Sequence, residues 1–236
     1  MAERKRSPRK SRAYHKGNVA EDLYAAAVHI LKTERFEDVS VRRLAQIVGV
    51  TPANFYNHYP SLSYLLQLIA ADGFRQLAKM KRSVWNTATS RKDAARQTAI
   101  KYVEFAIANK QIFRIMFGQI PDDQRDPALR GAADEGFGET VELVYGEPLY
   151  DPNDIPGSHE RAIVAYAYFA LLYGLARLTM EGQFTFKSGK KEEMIDFVAA
   201  AVDAFISGSC ALPFASGDEK EVARPPRRAA LKNVLT

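Results

Sequence analysis

The stretch from Thr51 to Tyr59, TPANFYNHY, gathers the groups needed to touch a nucleic-acid duplex. Asn54 and Asn57 offer amides that pair most naturally with adenine in the major groove, and Ala53 is small enough to let a helix approach base edges closely. Tyr56 and His58 carry polar groups of the kind that hold phosphates. If the stretch is helical with Phe55 facing inward, Tyr59 and Pro52 lie within about 60° of it, while Ala53 and Asn57 point the opposite way. Asn54 and Tyr56 flank that outward face. His58 lies about 60° from the core direction, so packing and phosphate contact are both open to it. The outward angle of Tyr56 favours a phosphate hydrogen bond. Just upstream, Arg42 and Arg43 sit off the apolar face of their own helix, as solvated charges or as phosphate contacts.

Other chemistry has little material to work with. The sequence has no Gly-rich phosphate loop, no H-E-x-x-H, no G-x-S-x-G and no ordered triad, so catalysis is not expected. Cys210 is the only cysteine, and His15, His29, His58 and His159 are scattered, which argues against a disulfide, a metal site or a cofactor. Asp151, Asn153 and Asp154 lack the loop glycine and distal glutamate of a calcium site and read as a turn.

The reading residues need a scaffold, and the pattern around them is helical throughout. Asn18 with Glu21 three positions later opens a first helix over about 18–34, whose Val19, Leu23, Ala26, Ala27, Ile30 and Leu31 share a face. Ser40 caps a short second helix with Val41, Leu44, Ala45 and Val48 inward, and Gly49 ends it. Thr51 and Pro52 then start a third helix only two residues later, so the two must cross sharply. Ser61 begins a long fourth helix to about Arg82, with Lys79, Lys81 and Arg82 charging its last turn. Further helices are expected over about 91–109, 110–117, 127–145, 158–181 and 190–207, and no strand pattern competes.

Charge follows the same division. Residues 1–83 hold 15 Lys/Arg against 7 Asp/Glu, a balance of +8, whereas residues 84–236 hold 18 against 21, a balance of −3. A polyanion would dock at the basic end. The organisation expected is a flexible basic arm (1–16), a helix-turn-helix domain with the linking fourth helix (17–83), a larger all-α domain (84–210) and a second flexible basic tail (211–236). The arm could enter a minor groove or only raise nonspecific affinity. The longest uncharged run, Ala162 to Ala176, has fifteen residues, short of the roughly twenty of a membrane span. No apolar stretch follows the N-terminal charges as a secretory signal would require, so a cytoplasmic protein without a membrane role is expected.

The segment VRRLAQIVGVTPANFYNHYPSLSYLL resembles the second to fourth helices of the TetR family of transcriptional regulators. Leu44-Ala45, Gly49-Val50, Thr51, Phe55-Tyr56, Asn57, His58 and Tyr59 fill the family's characteristic places. The resemblance implies that Thr51, Tyr56 and His58 touch phosphates or flank the readout helix, and that Ala53, Asn54 and Asn57 face bases. Leu62 departs from the pattern, standing where the family commonly has a phosphate-binding lysine.

QIFRIMFG similarly resembles the sixth-helix region of a TetR-like C-terminal subgroup, although Leu172-Tyr173-Gly174 replaces a Trp or His-Gly common there. The resemblance moves the aromatic group toward a pocket for a small hydrophobic or amphipathic effector, with Phe105, Phe113, Met116, Phe117, Phe137, Tyr145 and Tyr166 as candidate walls; each ring could equally be core. Small and aromatic residues of the last two helices, Ala162, Ala165, Tyr168, Leu172 and Leu175 with Phe197, Ala200, Ala204 and Phe205, are candidates for a four-helix homodimer interface, or complete a monomer core. The function implied is a homodimeric repressor released by its effector from a palindromic operator in double-stranded DNA. A ligand-independent architectural or cell-division protein using the same head is the alternative, and an enzyme with a helical pocket a more distant one.

Overall fold

A computed structural model describes residues 18–118, 124–145, 160–184 and 191–208. Both basic tails and the Asp151, Asn153 and Asp154 turn lie outside the described residues. Those described form nine α-helices, with a 3-10 turn at Phe36–Asp38 and no strand. The helices are α1 (Val19–Thr33), α2 (Val41–Val48), α3 (Pro52–Phe55), α4 (Leu62–Thr87), α5 (Arg91–Ala108), α6 (Lys110–Met116), α7 (Pro127–Tyr145), α8 (Glu160–Met180) and α9 (Lys191–Gly208).

Local chemistry sets the helix starts. Side-chain oxygens of Asn18, Ser40, Thr51, Ser61 and Ser90 each accept the backbone N–H of the residue three positions on, at 3.0–3.4 Å. Such caps contribute about 1 kcal/mol each. Gly49 stops α2 in the left-handed region, φ 78° and ψ 28°, and its N–H and that of Val50 both reach the Ala45 carbonyl at 2.9 Å. Space around Gly49 is open, so the requirement for glycine is conformational rather than steric. Around this turn, Leu23, Ile30, Leu44, Phe55 and Leu65 are fully buried and close the core of the head.

Helix α4 ties the head to the body. Its 26 residues extend about 39 Å at 1.5 Å per residue. It runs to Thr87, five residues past the end expected from the sequence, because Val84 continues its buried face. The domain boundary expected after residue 83 therefore falls inside a continuous helix. α6 crosses α4 at Gly73, where a Cβ would collide with the Met116 sulfur. Buried Gln67 accepts the Asp126 N–H at 2.7 Å, holding the approach to α7 against α4.

Lys81 also departs from the expectation of an exposed terminal charge. It is 5% exposed, and its ammonium donates to the Gly136 carbonyl at 2.6 Å and the Thr140 hydroxyl at 2.5 Å, both on α7. Next to it, Arg82 bridges Glu135 at 2.9 Å and Glu139 at 2.6 Å. Burial pushes the Lys81 ammonium down from 10.5 to about 8, with Glu139 opposing the shift. Glu139 is itself pushed up by burial, against the pull of Arg82.

A depressed lysine leaves the unfolded chain holding a proton that the folded chain has lost between about 8 and 10.5. Stability contributed through Lys81 therefore rises with pH across that window. In urea melts from pH 7 to 10.5, Lys81→Met is expected to lose this rise, up to about 3 kcal/mol. At pH 7 the variant should match or exceed wild type, since an apolar replacement removes a buried charge and Thr140 can still donate to Gly136. Taking the wild-type minus variant difference cancels the opposing effect of the buried tyrosines. Equal pH slopes would exclude a desolvated ammonium.

Candidate nucleic-acid interface and helical body

Phe55 is the pivot of the reading face. It is fully buried, with Tyr59 tilted against it at 5.6 Å and Tyr56 edge-on at 5.4 Å between ring centroids. The Tyr59 hydroxyl donates to the Ala20 carbonyl at 2.8 Å, fastening this corner to α1. With Phe55 and Tyr59 held inward, Thr51, Ala53, Tyr56, Asn57 and His58 are all exposed, Tyr56 to 58%.

The expected third helix is shorter than a full reading helix. After α3, the N–H groups of Tyr56, Asn57 and His58 reach the carbonyls three residues back at 3.0–3.2 Å, a tightened turn. This winding places His58 in solvent, away from the packing role left open for it.

Asn54 is the residue of this set that turns away. It is half-buried, and its side-chain oxygen is out of contact with solvent and without a hydrogen-bond partner among the described residues. Asn57 is thus the fully exposed amide of this stretch. Arg42 is exposed, whereas both Arg43 hydrogen bonds of 2.7 Å go to the Glu34 carboxylate at the end of α1. Arg43 braces α1 against α2 in this arrangement. Leu62, in the place of the lysine, is half-buried. Exposed Gln46 and Ile47 (45%) on α2 were not singled out in the sequence, because they lie beside rather than within the motif.

In the body, the candidate pocket rings pack on one another. Phe113 is fully buried and Met116 is 6% exposed. Phe117 packs edge-on to Phe74 at 5.2 Å and tilted against Phe113 at 4.7 Å and Tyr173 at 5.1 Å. Phe137 stacks on Tyr166 at 4.3 Å, and Tyr166 is 41% exposed. Phe105 belongs elsewhere, in a cleft against α1 and α4. The side chain of Tyr145 lies outside the described residues. Two buried hydroxyls one turn apart on α5, Thr98 and Tyr102, have no hydrogen-bond partner among the described residues. Tyr102 is edge-on to Phe113 at 5.7 Å, so this polar group sits within the ring cluster.

The expected dimer residues need correction on α8. Ala165 and Tyr168 are fully buried, Leu172 is 1% and Leu175 6% exposed. Tyr168 also donates to the Ala95 carbonyl on α5 at 2.6 Å, so this face belongs to the protomer core. The exposed face is offset by one or two residues: Ile163 (57%), Tyr166, Ala170 and Leu178 (41%). On α9, Phe197, Ala200 and Ala204 are exposed, while Phe205 is half-buried against Tyr168 at 6.0 Å. The side chain of Ala162 lies outside the described residues. By length and composition alone, Ile163–Met180 is apolar enough to cross a membrane; its two faces instead divide between core and surface.

Residues 95–203 match the tetracyclin repressor-like C-terminal domain family. A protein of unknown function from Rhodococcus sp. RHA1 shares the fold at a TM-score of 0.67 and 25% identity, over 84% of this chain and 98% of that one. The TetR-family transcriptional regulator PfmR from Thermus thermophilus superposes at a TM-score of 0.53 and 17% identity, over 78% and 93% of the two chains. A TetR transcriptional regulator from Rhodococcus sp. RHA1 does so at 0.54 and 15%, over 80% and 96%. No curated protein matches the sequence. The helical architecture and the matched C-terminal domain together give this chain the fold of the TetR-family transcriptional regulators.

Proposed function

We propose that this regulator is a cytoplasmic, non-enzymatic, homodimeric repressor that leaves a palindromic operator when its body takes up a small hydrophobic or amphipathic effector. The observation that carries the DNA-binding part is the outward display of Ala53 and Asn57 on a turn locked from behind by Phe55 and Tyr59. Ala53 gives close approach, Asn57 reads a base, and Thr51, Tyr56, His58 and Arg42 contact phosphates.

One such turn reads few base pairs, so two copies must act together, with half-sites about 34–36 Å apart or a multiple of it. The exposed apolar stripe of Ile163, Tyr166, Ala170 and Leu178, with Phe197, Ala200 and Ala204, supports pairing of α8 and α9 with their symmetry copies. For the effector, the ring cluster offers an apolar setting, and the partnerless Thr98 and Tyr102 hydroxyls offer polar contacts that would offset their cost of burial. An effector that parts these rings pushes on α4, which changes the separation of the two heads. Effector and operator then weaken each other by the same factor.

Selection of bound DNA by the full chain is expected to enrich a palindrome. Against it, Asn57→Ala should lose about 1–3 kcal/mol of discrimination at one position per half-site. Tyr56→Phe should weaken all sequences alike. Equal losses across sequences for both variants would refute this division of labour.

For assembly, sedimentation of Ile163→Glu/Phe197→Glu should shift a dimer to folded monomers, with operator affinity falling in parallel. Ala200→Glu should weaken the dimer in the same direction. A dimer that survives both charged variants would place the interface elsewhere.

A further inference from the structure

Between head and body lies an open cleft of about 390 Å³, bounded by α1, α4 and the α5–α6 corner. Its size falls within the range of small-molecule sites. The floor is apolar, formed by Val28, Ile69, Phe105 and Ile112. The walls are polar and unevenly charged: Lys32 from α1 and Lys79 and Arg75 from α4 face a single carboxylate, Asp72.

That carboxylate is already engaged. It accepts from the Tyr24 hydroxyl in a short hydrogen bond and from Arg75 at 2.5 Å. The aspartate raises the Tyr24 hydroxyl further above its ordinary value, after burial. Neither Lys32 nor Lys79 has a carboxylate partner among the described residues, and Arg75 spends one of its five N–H donors on Asp72. Two unpaired ammonium groups thus overhang an apolar floor. Hydrocarbon alone would leave the cations without a counter-charge, and a cation would be repelled.

We propose that this cleft binds a small amphipathic anion, its apolar body on the Val28, Ile69, Phe105 and Ile112 floor and its anionic head between Lys32 and Lys79. The site lies apart from the ring cluster assigned to the effector above, and goes beyond that assignment. Its occupant would touch the first helix of the head, the connecting helix and the body together, which is the position from which a ligand can bias their relative placement.

Calorimetric titration of the full chain with octanoate, octanol and octylammonium tests the charge requirement. Octanoate is expected to bind saturably, once per chain, about tenfold or more tighter than octanol, with affinity falling as salt rises. Octylammonium should show no saturable binding. Lys32→Glu/Lys79→Glu should weaken octanoate by about tenfold or more without weakening octanol. Val28→Trp, which fills the floor, should block both, with circular dichroism and thermal melting confirming that each variant is folded.

The proposal is overturned if octanoate gives no saturable binding or binds no more tightly than octanol. It is equally overturned if the charge-reversed chain retains wild-type octanoate affinity, or if folded Val28→Trp still binds octanoate. No DNA enters this experiment, so its failure leaves the repressor reading standing, and a failed operator selection leaves the cleft standing.

Discussion

The architecture rests on one helix being buried in two places at once. The N-terminal part of α4 contributes the buried Leu65 and Ile69, and its C-terminal part packs on α7, where Phe74 and Lys81 meet Gly136. A continuous hydrogen-bonded helix transmits displacement along its axis, whereas a loop at the same place would absorb it. The contacts that hold α4 therefore determine how closely head and body are mechanically linked.

Several of those contacts are polar and buried, which makes them exacting. Buried Lys81 reaches two oxygens on α7 and buried Gln67 reaches the backbone before α7, while the half-exposed Arg82 beside them straddles two glutamates. Apolar packing tolerates sliding by a fraction of a turn. A desolvated ammonium does not, since losing either acceptor leaves a charge in a poor dielectric. Such groups contribute less to stability than to the selection of one helix register.

Much of this organisation is legible in the sequence because it is local. The caps at Asn18, Ser40, Thr51, Ser61 and Ser90 depend on residues three apart, and Gly49 depends on its own backbone, so pattern alone finds them. The outward face of Ala53 and Asn57 follows from Phe55 in the same way. What escapes is set by partners distant in the chain. Lys81 reads as a surface charge until α7, more than fifty residues away, supplies its acceptors. On α8, apolar and small residues surround the helix, so periodicity cannot choose which stripe faces α5, and the register of the outer face is misjudged by one or two residues. The aromatic group around Phe113 is visible as composition, but whether rings enclose space or fill it depends on rotamers. Phe105 leaves that group for the opposite side because α1 approaches it there.

Asn54 has a consequence for how selective the proposed DNA contacts can be. With its oxygen withdrawn from solvent, Asn54 leaves Asn57 as the fully exposed amide of the turn, fewer lettered contacts than a specific site usually needs. In the proposed docking, most of the remaining discrimination must come from the duplex itself: the ease with which a given run of base pairs bends or narrows to bring two fixed heads into successive turns. Positions at the centre of the site, untouched by any side chain, would then matter as much as those beneath Asn57.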